Sequence, residues 1–285
     1  MPVTQTPLRY PGGKTAITPM VNTFIHYNGL KGCHYAEPYA GGAGLALALL
    51  FKGAVSHIHL NDFDRSVWAF WHSILYRTDE FLELIDTTEI TIAEWHKQKA
   101  IQNDKEHIDE LILGFSSFFL NRTNRSGIID KAGVIGGFEQ KSKYPLDCRF
   151  NKENLKAKIR KIASYRENIH IYHLDALEFI EKIDLKKENV FFCIDPPYFV
   201  KGQSLYTNFY EQNDHIFLAK RIAKIKSKWI LTYDYTDFIK SLYTSFRQFS
   251  FSLNYSAANK KKGTELLVVS KGFKVPDELK LEKAA

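Results

Sequence analysis

The tetrapeptide Asp195-Pro196-Pro197-Tyr198 follows directly on the apolar run Val190-Phe191-Phe192-Cys193-Ile194. In open α/β sheets ligands bind outside the carboxyl ends of the strands, so a polar tetrapeptide at such an end stands where chemistry is expected. Two prolines fix φ and remove two backbone N–H groups, which makes a stiff loop whose carbonyls must point elsewhere. An aspartate carboxylate beside an outward carbonyl offers two acceptors to an exocyclic amino group. Tyr198 adds a ring face on which a base can stack. A plain Pro-Pro turn after a strand is the bland alternative, and the company the motif keeps decides between them.

That company is acidic and glycine-rich. Glu37-Pro38-Tyr39-Ala40-Gly41-Gly42-Ala43-Gly44 resembles the first motif of S-adenosylmethionine-dependent methyltransferases. Glycines at 41, 42 and 44 let the backbone approach a ligand where a side chain would collide. Their spacing is not the G-x-G-x-x-G of dinucleotide binders. Asp62 ends the next predicted strand, where an acid conventionally binds ribose hydroxyls. Asp175 ends another and can accept from an adenine amino group. Each acid alone reads as a helix cap or a solvated strand end; three at three strand ends behind a glycine loop mark a ligand site. At the N-terminus, Leu8-Arg9-Tyr10-Pro11-Gly12-Gly13-Lys14 delivers a lysine to a helix start, able to hold a carboxylate. By itself that stretch reads as a helix-capping turn.

The elements that position these residues follow from periodicity. Pro11 to Gly13 reads as a turn, Thr15 to Tyr27 as a helix, His34 to Tyr39 as a strand, Leu45 to Phe51 as a buried helix and Val55 to Leu60 as a second strand. Strand, glycine loop, helix, strand and acidic end make half of a doubly wound α/β sheet. The rhythm breaks from about 67 to 165, where aromatic and charged helical segments precede an aperiodic stretch from Asn124 to Tyr144 and a basic amphipathic helix from Lys152 to Tyr165. Long irregular segments of this kind are usually functional. The α/β pattern then returns: strands at 169–174, 190–194 and 229–233, helices at 176–183 and 215–226, and a final hairpin from 249–255 and 265–270. The expected division is a catalytic domain of residues 1–66 and 166–285 with residues 67–165 inserted.

Composition sets the bounds. A chain of 285 residues buries a substantial core. No apolar run approaches the roughly 18 residues of a membrane span, and Met1 to Lys14 lacks the apolar stretch of a signal peptide; a cytoplasmic protein is expected. Cys33, Cys148 and Cys193 fit neither a disulfide framework nor a zinc pattern, and no His/Cys/Glu set has metal-ligand spacing, so no metal is expected. The net charge of +7 favours a polyanionic partner.

Taken in order, these motifs resemble the Dam-like, D12-class DNA adenine-N6 methyltransferases, from about Leu8 to Gly272. That family pairs an N-terminal (W/Y)-x-G-G-K with E-P-F-x-G-x-G, an acidic strand end, an inserted recognition domain and D-P-P-Y. Phe118-Phe119-Leu120-Asn121-Arg122 looks like its F-L-x-L-N-R segment, and Asn259 to Leu267 like its late basic loop before a strand. The resemblance implies a Rossmann-like S-adenosylmethionine-dependent methyltransferase sheet with an inserted, mainly helical target-recognition domain. Cofactor contacts would come from Tyr10, Lys14, Glu37, Gly41, Gly42, Gly44, Asp62, Asp175 and Asp195, and catalysis from Asp195, Pro196, Pro197 and Tyr198. Double-stranded DNA is the implied partner, its adenine flipped out and stacked on Tyr198 for direct in-line attack. A cognate restriction endonuclease is a partner the family allows.

Arg122, Asn124 and Arg125 are the candidates for base edges, and Lys260, Lys261 and Lys262 for phosphates; Lys131, Lys141 and Lys143 are further basic residues of the insertion. Where many relatives continue after N-R with an aromatic-Gly-aromatic-Asn-Gly run, this chain reads Thr123-Asn124-Arg125-Ser126-Gly127-Ile128-Ile129, so the GATC target is not carried over. Cys193 lies in an apolar run and reads as core, which argues against cytosine-C5 chemistry. An RNA adenine methyltransferase, a protein-amide methyltransferase and a non-catalytic DNA-binding relative are the rival readings. Asp at 195, where protein-amide enzymes carry Asn, argues against the second, and the intact loop with Lys14 and Asp62 against the third.

Overall fold

Short β-branched and aromatic runs that are apolar on both faces demand helices above and below them, which a parallel sheet with crossover helices provides. The computed structural model has this arrangement. It describes residues 4–10, 13–185, 189–200, 210–254 and 262–284. Strands β1 (His34–Glu37), β2 (His57–Asn61), β3 (Ile169–Tyr172), β4 (Val190–Ile194) and β5 (Lys228–Asp234) are parallel. β6 (Arg247–Asn254), β7 (Lys262–Val269) and the short β8 (Glu282–Lys283) complete the sheet antiparallel, in the order β3-β2-β1-β4-β5-β7-β6-β8. The strand order reverses between β1 and β4, opening a crevice at their carboxyl ends. Glu37 ends β1 and Asp195 follows β4 directly, so both stand at that crevice.

The helices are α1 (Thr18–Tyr27), α2 (Gly44–Phe51), α3 (Arg65–Tyr76), α4 (Thr78–Thr87), α5 (Ile92–Ile101), α6 (Glu110–Thr123), α7 (Lys152–Ala163), α8 (Ala176–Asp184), α9 (Gln212–Ile222) and α10 (Asp237–Leu242). One sheet face carries Ala36, Phe192, Ile194, Trp229 and Leu231 and is covered by α8 to α10. The opposite face carries Tyr35, Ile58, Phe191, Ile230 and Leu267 and packs with residues of α1, α2, α3, α6 and α7. The core of residues 67–165 is therefore continuous with that of the sheet rather than separate from it.

Sequence and structure differ mainly at element ends. The first strand stops at Glu37 rather than Tyr39, since Pro38 has no N–H for the ladder. The helix before β5 starts at Gln212, not His215, because Glu211 and Asp214 form a capping box there. The aperiodic stretch contains a 3₁₀ turn at Arg125–Gly127 and a bridge from Asn124 to Val134.

The crossing of α3 and α6 is close. A Cβ placed on Gly114 would lie 2.5 Å from the Ala69 carbonyl oxygen and 2.7 Å from Ser73 Oγ. Neither can step aside, as one is helix backbone and Ser73 Oγ is held between the Ala69 and Glu110 carbonyls, which share its one proton. Gly114→Ala should therefore lower stability by about 2 kcal/mol, seen as a fall of several degrees in the thermal midpoint. An unchanged midpoint would mean that the two helices separate freely.

Candidate active site

Lys14 sits at the start of a 3₁₀ turn, Lys14–Ile17, that feeds α1. Its side chain is buried, and Nζ reaches three groups from distant parts of the chain: Asp195 Oδ1 at 3.1 Å, Glu265 Oε2 at 3.2 Å and the Tyr198 hydroxyl at 2.7 Å. The Tyr198 hydroxyl donates in turn to Glu265 Oε1. Burial alone would lower the ammonium's pKa; the two carboxylates more than reverse this and hold it above its ordinary value. Burial pushes the Asp195 carboxyl up, while Lys14 and the Thr232 hydroxyl draw it back down. Glu265 is likewise raised by burial and held in check chiefly by Lys14.

Thr232, in β5, donates to Asp195 Oδ1 at 2.8 Å. Asp195 thus spends one oxygen on Lys14 and Thr232, and Oδ2 has no partner among the described residues. Asp234, at the end of β5, accepts from the backbone N–H of Phe199 at 3.1 Å and of Val200 at 2.9 Å, tying down the chain just beyond the tetrapeptide. Asp195 and Pro197 line a cavity of about 770 Å³.

Tyr198 departs from expectation. It is 8% exposed, packs with the core that includes Leu231 and Leu266, and is absent from the cavity wall. Its hydroxyl anchors the loop to Glu265, so in this structure its ring is not an open stacking face. Aromatic surface on the wall comes instead from Tyr39 and Tyr210, whose hydroxyls meet at 2.8 Å.

The remaining wall is the predicted ligand side. Glu37, Gly41, Gly42, Gly44, Asp62 and Asp175 all line the cavity, together with Tyr10 and Lys14. Glu37 accepts from the Tyr35 hydroxyl at 2.9 Å, and burial, reinforced by Asp195, pushes its carboxyl up to about 8. Asp62 accepts from Gly41 N–H at 2.8 Å and from Asp64 N–H at 3.0 Å; burial and the neighbouring Asp64 carboxylate push it up to about 7. Asp175 caps α8 by accepting from Leu177 N–H at 2.8 Å. The glycines serve a purpose that spacing did not disclose. A Cβ on Gly41, whose φ is +47°, would lie 2.6 Å from the Tyr10 ring, and one on Gly44 2.3 Å from Thr15 Oγ1. The N-terminal segment itself occupies the room that the glycines leave.

Several positioning residues escaped sequence reasoning. Asn61, fully buried at the end of β2, donates to the Pro38 and Leu174 carbonyls, both at 3.0 Å, and accepts from Leu174 N–H, joining three strand ends. Trp71 Nε1 donates to the Gly41 carbonyl at 2.9 Å and so fixes the glycine loop from α3. Asn121 accepts from Arg9 N–H at 2.7 Å and returns a bond to the Arg9 carbonyl at 2.9 Å. Glu265 is the one acid of β7, directly before the apolar run Leu266 to Val269, and that is the signal the sequence offers. The buried Cys193 thiol is raised well above its ordinary range by burial, consistent with core.

On the insertion side the predicted residues divide. Asn124 is buried: its carbonyl oxygen accepts from Trp95 Nε1 at 2.7 Å and its amide donates to Ile128 and Ile129 carbonyls. All its groups are spent on folding the turn, so it is a clamp and offers nothing to a base edge. Arg122 lines the cavity with Nε on the Arg149 carbonyl at 2.6 Å. Arg125 is exposed. Lys260 and Lys261 lie outside the described residues, and Lys262 opens β7 with its side chain outside them. Among the described residues no group of His, Cys, Asp and Glu could hold a metal ion, and no helix is long and apolar enough to cross a membrane.

Removing one partner of a buried ion pair strands the other. Lys14→Met should therefore cost on the order of 3 kcal/mol. The stranded carboxyls rise further, so the folded variant binds protons that the unfolded chain releases; stability then falls as pH rises through their folded pKa. The deficit relative to the parent chain should be largest near about pH 8 and shrink toward about pH 5. Denaturant titration at both values checks this, and a pH-independent deficit would contradict it.

Two solved structures resemble the chain at low identity. One is described as a candidate class I S-adenosylmethionine-dependent methyltransferase from Listeria monocytogenes, at 11% identity and a TM-score of 0.40; the match covers 93% of this chain, which spans 63% of that one. The other is the rRNA methyltransferase aviRa from Streptomyces viridochromogenes, at 10% identity and a TM-score of 0.36, covering 91% of this chain and 85% of that one. Comparison with curated proteins by sequence gives no match. The model of the D12 class N6 adenine-specific DNA methyltransferases matches residues 10–257, from Tyr10 at the glycine loop past the Asp195 tetrapeptide. The chain belongs to the D12 class N6 adenine-specific DNA methyltransferase family.

Proposed function

We propose that this chain transfers a methyl group from S-adenosylmethionine to N6 of an adenine in double-stranded DNA. The observation that carries this reading is Asp195 at the cavity wall, one oxygen held by Lys14 and Thr232 and the other without a partner among the described residues. The cavity suits the cofactor: 770 Å³ is within the usual range for a small-molecule site. Among the described residues no cationic side chain sits on buried Glu37 or half-buried Asp62, so hydroxyl donors and a cationic ligand would both relieve them. Asp62 would take ribose hydroxyls and Asp175 the adenine amino group. When bound, the cofactor supplies an electrophilic methyl on a sulfonium.

The chain's own residues make the nucleophile. Adenine N6 is poor because its lone pair is delocalised into the ring. Hydrogen bonds from its amino protons to Asp195 Oδ2 and the Pro196 carbonyl favour a pyramidal nitrogen with a localised pair. A cofactor held by Glu37, Asp62 and Asp175 would supply its methyl to N6 in line and would itself leave as a neutral thioether. The surplus N6 proton then passes to the Asp195 carboxylate. Positioning supplies much of the barrier reduction, as no covalent enzyme intermediate is needed.

Basic residues beside the cavity support a polyanionic partner. Arg9, Arg122, Arg149 and Lys158 crowd one another there: burial lowers the pKa of Arg9, Arg122 and Lys158, and neighbouring cations lower each further. None of the four forms a salt bridge with a carboxylate among the described residues. Unneutralised cations beside a cavity fit phosphates, and Lys260, Lys261 and Lys262 would add more. A base within a duplex cannot enter such a cavity, so the adenine would be flipped. Family membership also allows a cognate restriction endonuclease sharing the target site.

Two measurements test the reading. Labelled methyl transfer should go to duplex DNA, with Asp195→Ala lowering kcat roughly a thousandfold; transfer to RNA alone would overturn the substrate assignment. Replacing Arg149 and Lys158 together by Ala should weaken DNA binding whatever its sequence and reduce the salt slope by about 2. An unchanged slope would place the phosphates elsewhere.

A further inference from the structure

We propose that Glu265 is a positioning residue of this site, drawing Lys14 and the Tyr198 hydroxyl toward β7 so that Asp195 keeps one oxygen free for the reacting amino group. The inference rests on the methyl-transfer reading above. Glu265 is 1% exposed and is not on the cavity wall, so it acts only through other groups. It pairs in register with Asp234 across β5 and β7, the residue that holds Phe199 and Val200. The tetrapeptide is thus gripped at both ends from neighbouring strands: Asp234 takes the backbone after it, and Glu265 takes the Tyr198 hydroxyl within it.

The charge arithmetic gives Glu265 its effect. One ammonium serves two carboxylates, with Nζ at 3.1 Å from Asp195 and 3.2 Å from Glu265. An ammonium has three donors and no acceptor. Tyr198 and Glu265 occupy two of them, which leaves one for Asp195 Oδ1. Without Glu265 the whole field of Lys14 falls on Asp195, and a donor is released that can take Oδ2 as well. Asp195 then becomes a weaker acceptor with no open oxygen. The other ionisable groups facing Asp195 are Glu37 from β1, Cys193 from β4 and Tyr233 from β5. All of these stay in place when Glu265 is changed.

The test is Glu265→Gln in the full-length enzyme, judged folded by its thermal transition, with transfer to duplex DNA measured against pH. Gln removes the negative charge and sets an NH2 donor against the ammonium where Glu265 Oε2 accepts. We expect kcat to fall about tenfold with the cofactor KM within about threefold. The acid limb of the rate profile should move to lower pH, because removing a nearby negative charge lowers the proton affinity of Asp195. Tyr198→Phe should lose part of kcat and leave that limb where it was. If Gln is not tolerated, Glu265→Asp keeps the charge but withdraws it, and should lower kcat at an unchanged acid limb. A folded Glu265→Gln enzyme with parental kcat and acid limb overturns the proposal, as does parental kcat in both Glu265→Asp and Tyr198→Phe. Failure of the parent enzyme to methylate any adenine would sink the functional reading instead.

Discussion

One buried ammonium holds together three regions that are far apart in the chain. Lys14 comes from the N-terminal turn, Asp195 from the end of β4 and Glu265 from β7, and they meet within 3.2 Å of a single nitrogen. A charge in that position is costly unless every donor is used, and here each is. The dependence runs outward. Lys14 reaches the crevice only because Tyr10 lies across Gly41 and Gly42 and Thr15 across Gly44. That glycine loop is in turn fixed by Trp71 from α3 and by Asp62 from the end of β2. The segment before Lys14 is held by Asn121 from α6. The helical insertion therefore supports the active site from outside the sheet.

What could be read in the sequence was local, or followed from the parallel sheet. Asp62, Asp175 and Asp195 were legible because each ends an apolar run, and parallel strands place their carboxyl ends on one edge. Five of the strands were found within a residue or two for the same reason. Glu265 was not, because its partners depend on how β7 registers against β5. A glutamate in a strand reads alike whether it faces water or a buried lysine. Tyr198 was misjudged through the same omission: without Glu265 nothing marked its hydroxyl as engaged. Asn124 was taken for a reader of bases because polar residues at a helix end look the same from outside. Its three bonds to Trp95, Ile128 and Ile129 are made to residues whose proximity only the folded turn creates.

The insertion illustrates why such a segment can diverge without losing its place. Its buried residues, among them Phe70, Phe118, Leu155 and Ile159, belong to the same core as Tyr35 and Ile58 of the sheet. Packing of that kind fixes helix positions closely, as the approach at Gly114 requires. The turn from Asn124 to Asp130 is different. It is held by side-chain bonds from Asn121 and Asn124 to backbone carbonyls, which make no demand on the intervening side chains. Residues 127–130 line the cavity from this turn; a Cβ on Gly127 would lie 2.0 Å from the Arg9 carbonyl oxygen, so only the wall from 128 to 130 can change while its frame stays put.

Charge is distributed unevenly between the rim of the cavity and its interior. The interior has Glu37, Asp62 and Asp195, with Lys14 already claimed by two carboxylates. The rim has Arg9, Arg122, Arg149 and Lys158 without carboxylate partners among the described residues. A phosphate would be repelled from the first set and held by the second. On the proposed reading, a nucleotide meeting this gradient would leave its phosphates at the rim and present only its neutral base to the interior. A sulfonium would be favoured in the interior by the same carboxylates, and a neutral thioether would be favoured less. On that reading the sheet edge that gathers the acids would also sort the parts of the two substrates.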